Sequence, residues 1–313
     1  MKRNISVGVI GAGNIALKHL EVVKKIKNFK IKAITSRTLS KAKKLAKTFK
    51  IEKINENIED LLKKNHIDCL LIFVSAENMY STIKKIINFK VPFFFEKPAG
   101  LNYRETKELS DLCYQNKIKN MVGLNRRFYS IFEEGKKIIK KRGRFKGILI
   151  EGHERIWLIN KRKKNKKVLN NWIYANSIHT IDLLRYFGGE IKKIKGFSNN
   201  YGSEKNISFS VKFKNNSIGT YISNWNSPAG WSITIFGDGY TLSYKPLENG
   251  RLITSNFKEK KLNKSVFDKR FKPGFYKQMN CFKNLIINRK LKEPAQDLKQ
   301  YLKSVSIAKT FNK

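Results

Sequence analysis

The stretch that decides the fold is ISVGVIGAGNIA, at residues 5–16. A short apolar run leads directly into a glycine turn, and the turn opens a helical pattern. Gly11 permits a tight turn, and Gly13 lets a pyrophosphate approach the backbone. The pattern predicts a dinucleotide-binding turn whose ligand lies on the helix N-terminus, where Asn14 and Ile15 contact it.

Outward from this turn, the N-terminal part of the chain alternates between short apolar runs and helical patterns. Continuous apolar runs suit strands that are buried on both faces, and their alternation with helices predicts a parallel sheet with right-handed crossovers. The predicted strands lie at 5–10, 31–36, 68–74, 91–96 and 120–125. The predicted helices lie at 15–26, 40–49, 78–89 and 102–116, with Ser40 as the hydroxyl cap of the second helix.

The pattern changes in the second half of the chain, where apolar and polar residues alternate. This alternation indicates an antiparallel sheet with one covered face, and it occurs at 147–156, 207–226 and 231–245. Helical patterns return at 276–288 and 296–311. We therefore predict an α/β chain in two domains. A doubly wound parallel Rossmann sheet lies at residues 1–122, and an α+β domain with a mainly antiparallel open sheet lies at residues 123–313.

The end of the second predicted strand bears on the choice of cofactor. Dinucleotide sites usually place an acidic residue there, which holds the ribose 2′-hydroxyl of NAD. This chain instead has Thr35-Ser36-Arg37-Thr38, without a carboxylate. Arg37 can pair with a 2′-phosphate and Ser36 can donate to it, so we favour NADP over NAD. The alternative is that Arg37 is an ordinary surface arginine of a very basic protein.

The fifth predicted strand ends in Phe95-Glu96-Lys97-Pro98. Side chains at the carboxyl end of a parallel strand lie on the ligand side of the sheet. A lysine beside a cationic nicotinamide ring holds its proton less tightly, so Lys97 can exchange a proton with a hydroxyl near neutral pH. Farther along, the segment from His179 to Asp182 opens a helical pattern at 181–187, and an i, i+3 pair such as His179 and Asp182 lies on one face of a helix. We interpret Asp182 as structural, whereas the residues alone leave His179 open as either a functional residue or a helix cap.

Four motifs, in this order and at this spacing, resemble the glucose–fructose oxidoreductase and inositol dehydrogenase family, also written Gfo/Idh/MocA. They are GAGNIA at 11–16, FEKP at 95–98, GLNRRF at 123–128 and HTIDLLRYFGG at 179–189. The resemblance covers almost the whole chain. It implies an NAD(P)-dependent oxidoreductase that acts on the CH–OH group of a sugar, a polyol or a sugar derivative. It also implies a homodimer or homotetramer that associates through the sheet of the second domain.

The resemblance implies roles for individual residues. Lys97 and His179 match the lysine and the histidine that contact the reacting hydroxyl in the family. Asn125 and Arg127 match a segment that borders the substrate. Glu96 is expected to hold Lys97 or the cofactor, and not to react.

The chain departs from the family pattern beside the histidine. Family members commonly carry an aspartate four residues before it, where this chain has Ala175. Asn176 follows and is our candidate for binding the substrate, because an amide forms hydrogen bonds although it carries no ionisable proton at neutral pH. Three alternatives stay open. In the first, Lys97 and His179 suffice for catalysis with the help of a water molecule. In the second, the substrate differs from that of better-known members. In the third, catalysis is weak or lost, and the chain is a dinucleotide-binding sensor or assembly protein.

A second departure lies in the loop after the strand predicted at 68–74. Ser75 stands where the family usually has threonine, in a loop near the cofactor, so we expect Ser75 to contact the cofactor. Ala76 replaces a proline of the usual pattern, and Tyr80 replaces a histidine. Both replacements set this loop apart from that of the better-known members.

The formal net charge of +42 is high enough to suggest nucleic-acid binding. The basic residues are spread evenly, however, since 25 of the 66 Lys and Arg lie in residues 1–122 and the other 41 in residues 123–313. We therefore expect no specific nucleic-acid partner and rank that function last. The positive electrostatic field of the protein favours an anionic substrate, such as a sugar phosphate, a nucleotide sugar or a uronic acid. The densest basic run, KRKKNKK at 161–167, is expected to be a solvated loop.

Cysteine usage and hydropathy bear on the compartment. The three cysteines have no metal-ligand spacing, so we predict no metal site, and their odd number suits a reducing compartment. No apolar run approaches the roughly 20 residues of a membrane span, and the run at 5–10 is too short for a signal peptide. We expect a cytoplasmic protein without a membrane partner.

Overall fold

The computed structural model describes residues 4–160, 165–201 and 204–312. Their contacts divide the chain into two compact units. The first unit takes in the residues up to Phe128 together with Phe267–Lys303, and the second takes in Tyr129–Val266 and the residues from Ser304 onward. The compact units thus place 267–303 with the N-terminal part of the chain. A division into folding domains between residues 122 and 123 stays a prediction.

Six parallel strands form the sheet of the first unit. They are β1 (Ile5–Ile10), β2 (Phe29–Thr35), β3 (Lys53–Asn55), β4 (Cys69–Ile72), β5 (Phe93–Glu96) and β6 (Asn120–Gly123). Their spatial order is β3-β2-β1-β4-β5-β6, which is the doubly wound order with its reversal between β1 and β4. Every residue of β4, β5 and β6 is buried. The prediction of a Rossmann sheet is confirmed.

Helices occur in both units and are numbered along the chain. They are α1 (Asn14–Val23), α2 (Leu39–Phe49), α3 (Ile58–Lys63), α4 (Ala76–Ile87), α5 (Tyr103–Gln115), α6 (Ser130–Arg142), α7 (Ile156–Asn160), α8 (Lys166–Asn170), α9 (Ile178–Gly188), α10 (Val266–Arg270), α11 (Phe275–Asn288) and α12 (Leu298–Phe311). A 3₁₀ turn at Asn125–Phe128 follows β6, and a π-helical turn at Ile173–Ser177 precedes α9. The prediction that Ser40 caps its helix was wrong, because α2 begins at Leu39 with Thr38 in the N-cap position.

The core of the first unit extends from the sheet through α1 to α11. Phe282 of α11 is fully buried, and its ring centroid lies 6.3 Å from that of Phe29 and 5.8 Å from that of Phe94. Burying a phenylalanine side chain contributes about 1.5–3 kcal/mol. Such contacts explain why the late segment 267–303 belongs to the first unit.

Eight strands form the sheet of the second unit. They are β7 (Phe145–Gly152), β8 (Ile191–Tyr201), β9 (Glu204–Phe213), β10 (Ile218–Asn224), β11 (Trp231–Gly237), β12 (Tyr240–Tyr244), β13 (Gly250–Thr254) and β14 (Glu259–Leu262). Their order is β14-β13-β12-β11-β7-β10-β9-β8. Within this sheet β10 and β7 pair in parallel, and the other neighbours pair antiparallel.

One face of this sheet is covered by helices of the same unit. From Ile207 to the end of β9 every second residue is buried, which is the alternation that the sequence predicted. On the covered face, Phe209 stacks on Phe311 of α12 with ring centroids 4.6 Å apart, and Tyr244 meets Phe132 of α6 at 4.8 Å. The prediction of a mainly antiparallel open sheet is therefore confirmed.

The basic run at 161–167 is only partly within the described residues. Residues 161–164 lie outside them, and Lys166 and Lys167 begin α8 instead of lying in a loop. Across the part of the chain that the structure describes, no helix combines the length and the apolar character that crossing a bilayer requires.

Candidate active site

The turn between β1 and α1 contains two glycines with different roles. Gly11 has a φ of +103°, and a Cβ there would lie 2.6 Å from the carbonyl oxygen of Phe73. The fold itself therefore requires glycine at position 11. Gly13 is extended, and a Cβ there would meet no atom of the described chain within 4 Å. The space beside the Gly13 backbone is open, as the approach of a ligand requires.

The N-terminus of α1 lies directly after this turn. Among the described residues, no side chain caps α1, and none in its first turn is acidic. The unpaired N–H groups of a first turn, together with the helix dipole, attract an anion. Asn14 is exposed and Ile15 is half-buried at this end. The residues present fit the pyrophosphate of a dinucleotide.

Ser36 and Arg37 follow β2 at the same edge of the sheet. The Gly11 N–H donates to the carbonyl of Thr35 at 2.8 Å, which joins the end of β2 to the glycine turn. Arg37 is exposed, and the Ser36 hydroxyl accepts a weak bond from the Thr38 N–H at 3.4 Å. The end of β2 thus offers a cation and a hydroxyl beside the turn.

Glu96, the last residue of β5, is held by a histidine that the sequence analysis missed. The Glu96 Oε1 lies 2.7 Å from the His19 Nε2, and the two residues are 9% and 0% exposed. The His19 ring lies between Phe73 and Phe275, with ring centroids 4.5 and 3.9 Å away. Burial lowers the pKa of His19 more than Glu96 raises it. His19 is therefore neutral and donates its Nε2 hydrogen to the carboxylate.

Glu96 is ionised in its buried position. Burial by itself raises the pKa of Glu96, but the His19 hydrogen bond and the charges of Lys272 and Lys97 outweigh burial, so the net pKa is lowered. Burial lowers the pKa of Lys272, and the nearby Glu96 partly opposes this. A Cβ on Gly123 would lie 3.0 Å from the Glu96 carboxyl carbon, so glycine at the end of β6 leaves room for the carboxylate. A buried carboxylate with two lysine charges nearby thus occupies the carboxyl edge of the sheet.

Lys97 and Ser75 lie at this edge because they follow neighbouring strands. Lys97 comes directly after β5, is half-buried, and forms a cis bond with Pro98. Ser75 lies after β4, where its exposed hydroxyl accepts a hydrogen bond from Asn78 at 2.7 Å. Since β4 and β5 are adjacent and parallel, both residues share the edge that carries the glycine turn.

Asn125 and Arg127 lie in the 3₁₀ turn after β6 and are 3% and 7% exposed. The Asn125 Nδ2 donates to the carbonyl of Pro273 at 3.0 Å. A Cβ on Gly274 would collide with the Asn125 carbonyl, so the two segments pack closely. Asn125 therefore ties the start of α11 to the same edge of the sheet, and its role toward a substrate stays a prediction.

The second unit holds the other predicted site residues on one helical segment. His179 lies in the first turn of α9, and its ring centroid is 6.3 Å from that of Trp231. Asn176 lies in the preceding π-helical turn, where its Nδ2 donates to the Glu154 carboxylate at 3.0 and 3.3 Å. Glu154 is 3% exposed and also accepts from the Ser177 hydroxyl at 2.7 Å. No motif in the sequence pointed to this carboxylate.

Asp182 has the contacts of a structural residue. Its Oδ1 accepts from the Ser304 hydroxyl at 2.7 Å, and that hydroxyl accepts from the Arg185 guanidinium at 2.9 Å. Arg185 also pairs with Glu190 at 2.8 Å. The bonds to Ser304 fix α9 to the middle of α12 within the second unit, in agreement with the structural interpretation.

Three charged or polar groups of the site had only weak sequence signals. His19 lies in a helical pattern among apolar residues, where a histidine is usually a core residue. Lys272 is one of many lysines, and Glu154 is 22 residues away from its partner Asn176. One usable signal was the position of His19, in the second turn of the helix that the glycine motif opens. Over the described residues, no group of three His, Cys, Asp or Glu side chains could hold a metal ion.

Fold and site together define a class of protein. Its first unit is a doubly wound, dinucleotide-binding unit with a buried glutamate and a half-buried lysine at the carboxyl edge of the sheet, and its second unit has an open sheet. Two family models agree with this class. The model of the oxidoreductase family with an NAD-binding Rossmann fold matches residues 5–124. The model of the Gfo/Idh/MocA C-terminal domain matches residues 153–243. The chain belongs to the Gfo/Idh/MocA oxidoreductase family.

Individual relatives support the family. The oxidoreductase YrbE of Bacillus subtilis is 33% identical over 140 residues, which cover 45% of this chain and only 41% of YrbE. The scyllo-inositol 2-dehydrogenase (NAD(+)) of Bacillus subtilis is 24% identical over 243 residues, covering 74% of this chain and 71% of that enzyme. The crystal structure of a dehydrogenase from Chromobacterium violaceum superposes with a TM-score of 0.86 at 15% identity, over 99% of this chain and 95% of that one. That likeness shows a shared fold.

Proposed function

We propose that this chain is an NAD(P)-dependent dehydrogenase or reductase that moves a hydride between the nicotinamide and a hydroxyl-bearing carbon of a sugar, a polyol or a sugar derivative. The observation that carries the proposal is the contrast between two glycines. The fold requires Gly11, whereas the open space at Gly13 is what a ligand on the helix N-terminus needs. Similarity to a scyllo-inositol dehydrogenase supports a polyol. The net charge of +42 favours an anionic derivative, such as a sugar phosphate or a nucleotide-linked sugar.

The cofactor-binding residues follow from the edge of the sheet that they share. In the proposal, the pyrophosphate is held by Gly11, Gly13, Asn14 and Ile15. The ribose is held by Ser36 and Arg37, and the nicotinamide half by Ser75 and Glu96. Because Arg37 offers a cation where NAD sites usually have a carboxylate, the proposed preference is NADP over NAD.

The proposed chemistry divides the work between protein and cofactor. A dinucleotide held by these residues would supply the hydride acceptor or donor. Lys97 exchanges the hydroxyl proton as general acid–base. His179 orients the same hydroxyl or shares its proton. Glu96 does not react, because its carboxylate is held by His19 and serves as a fixed negative charge beside Lys97. The rest of the substrate is bound by Asn125, Arg127 and Asn176.

The proposed assembly is a homodimer or homotetramer that associates through the open face of the second unit's sheet. Phe197 of β8 is 85% exposed and pairs with Ser208 of β9, which is exposed as well. A large apolar side chain on a sheet face suits a contact with a second copy. Light scattering of the purified protein measures the assembly state. The proposed location is the cytoplasm, where the free thiols of the three cysteines suit a reducing environment.

Initial rates with scyllo-inositol and myo-inositol, each with NAD and NADP, test the proposed function. The wild type should reduce the dinucleotide. Lys97→Met should lower kcat by about 100-fold or more, because general acid–base catalysis contributes about 10²–10⁴-fold. Lys53→Met, at an exposed lysine of β3, is the matched control and should keep the wild-type rate.

Equal rates in the wild type and Lys97→Met would contradict the role of Lys97. Dinucleotide binding without turnover of any polyol or sugar would instead favour the second candidate, a dinucleotide-binding sensor or assembly protein. The observation that favours that candidate is the alanine at position 175.

A further inference from the structure

Glu154 is a buried carboxylate that the proposed chemistry leaves without a task. It lies two residues after β7 and is 3% exposed. Its Oε2 lies 3.0 Å from the Asn176 Nδ2, and its Oε1 lies 2.7 Å from the Ser177 Oγ. Burying a carboxylate is costly unless hydrogen bonds satisfy it. Both donors come from the π-helical turn that leads into the helix of His179.

The Glu154 carboxylate determines which way the Asn176 amide is turned. An ionised carboxylate only accepts hydrogen bonds, so the NH₂ group of Asn176 must face it. The Asn176 Oδ1 is then on the other side of the amide plane and is left as an acceptor. Because Asn176 is half-buried, this oxygen belongs to a residue that a ligand can reach.

The surroundings of Glu154 hold it firmly in this place. Its backbone carbonyl accepts from the Asn226 N–H at 2.9 Å. The Thr180 hydroxyl lies 2.9 Å from the carbonyl of Ser177 and 3.0 Å from the hydroxyl of Tyr221. Burial raises the pKa of Tyr221, and the charge of Glu154 raises it further, so the phenol stays protonated. These contacts link the turn and the start of α9 to β10, and they hold the segment after β7 beside them.

We infer that Glu154 is a positioning residue that fixes Asn176 with its Oδ1 as an acceptor for a substrate hydroxyl. From the segment after β7, Glu154 supplies a carboxylate to the π-helical turn, whose own position 175 is an alanine. The inference rests on the proposed function and narrows its substrate class. The group that faces Asn176 is a hydroxyl that donates a hydrogen bond, and not a carbonyl or a carboxylate oxygen.

Exchanging the carboxylate at position 154 and the amide at position 176 tests this inference. Glu154→Gln keeps the size of the side chain, but its NH₂ can donate to the Asn176 Oδ1 and turn the amide over. KM for scyllo-inositol or myo-inositol should then rise about tenfold, the effect of one lost hydrogen bond, while the melting temperature and NADPH affinity stay near wild type. The double variant Glu154→Gln/Asn176→Asp places an acceptor carboxylate at 176 and should recover most of the loss.

Glu204→Gln is the matched control, because Glu204 also accepts from an asparagine amide, that of Asn226, on the exposed surface of the same unit. It should leave KM unchanged. A purely structural Glu154 would give a Glu154→Gln variant with a lowered melting temperature or with wild-type KM, and either result would overturn the inference.

A second readout needs no substrate and therefore separates this inference from the proposed function. In protein labelled with ¹⁵N-asparagine, Asn176→Asp identifies the side-chain NH₂ signals of Asn176. These signals should move in Glu154→Gln and stay in place in Glu204→Gln. If neither inositol is turned over while the signals move, inositol fails as the substrate, whereas the positioning of the Asn176 amide by Glu154 stands. Unmoved signals would overturn the inference whatever the rates are.

Discussion

At the scale of single residues, the choice of dinucleotide depends on Arg37. A charge-assisted hydrogen bond contributes about 1.5–3 kcal/mol, so Arg37→Ala should weaken NADPH binding by about 10- to 100-fold and change NADH binding little. Fluorescence titration with both dinucleotides measures this. Arg144→Ala removes an exposed arginine of the second unit and serves as the control. Tighter binding of NADH than of NADPH by the wild type would remove Arg37 from cofactor selection.

His19 makes the first unit sensitive to acid. Burial lowers its pKa in the folded protein, so below its ordinary value of 6.5 the unfolded chain binds a proton that the folded chain does not. The lowered pKa of Glu96 also makes acid destabilising, at lower pH. The stability that ionised Glu96 contributes is lost as the pH falls through its pKa in the folded protein. The lowered pKa of Lys272 acts on the alkaline side. Acidification should therefore destabilise the unit.

Melting curves of the wild type and His19→Gln test this sensitivity. Glutamine can still donate to Glu96 but does not titrate. Between about pH 7 and about pH 5, the melting temperature should fall further in the wild type than in His19→Gln. Parallel curves for the two proteins would show that His19 does not carry the effect.

At the scale of elements, the sequence predicted the helices and strands whose hydropathy pattern is long and is contained within the element itself. β1, α1 and the strands with continuous apolar runs fall close to their predicted positions because burial on both faces leaves a clear signal. β3 was missed because its three residues are largely exposed. The parallel pairing of β10 with β7 was missed because the alternation of apolar and polar residues within a strand does not show which strand it pairs with. The π-helical turn before α9 likewise has no pattern of its own.

Helix capping gives a prediction at this scale. The Asn102 Oδ1 accepts from the Glu105 N–H at 2.8 Å, and the Glu105 carboxylate accepts from the Leu101 N–H at 2.8 Å. Asn102→Ala should lower the free energy of unfolding by about 1 kcal/mol. Ser40→Ala should change it little, because Ser40 lies inside α2 and does not cap it. Urea denaturation compares the two variants, and an equal loss in both would contradict the capping assignment.

At the scale of the whole molecule, the two units carry different parts of the predicted site. The first unit holds the predicted cofactor residues and Lys97, and the second holds His179 and Asn176. The cofactor edge could be predicted because parallel strands bring their carboxyl ends to one side of a sheet. His19, Lys272 and Glu154 could not, because each is defined by a partner that is distant in the chain.

The central claim is that a dinucleotide lies against the backbone at Gly13, and Gly13→Ala tests it most directly. Position 13 is extended and open, so alanine should leave the melting temperature unchanged. Its methyl group should weaken both NADPH and NADH binding by at least about tenfold in a fluorescence titration. Gly11→Ala is the contrasting variant, and it should melt at a lower temperature because its Cβ meets the Phe73 carbonyl. Wild-type affinity in Gly13→Ala would contradict the claim.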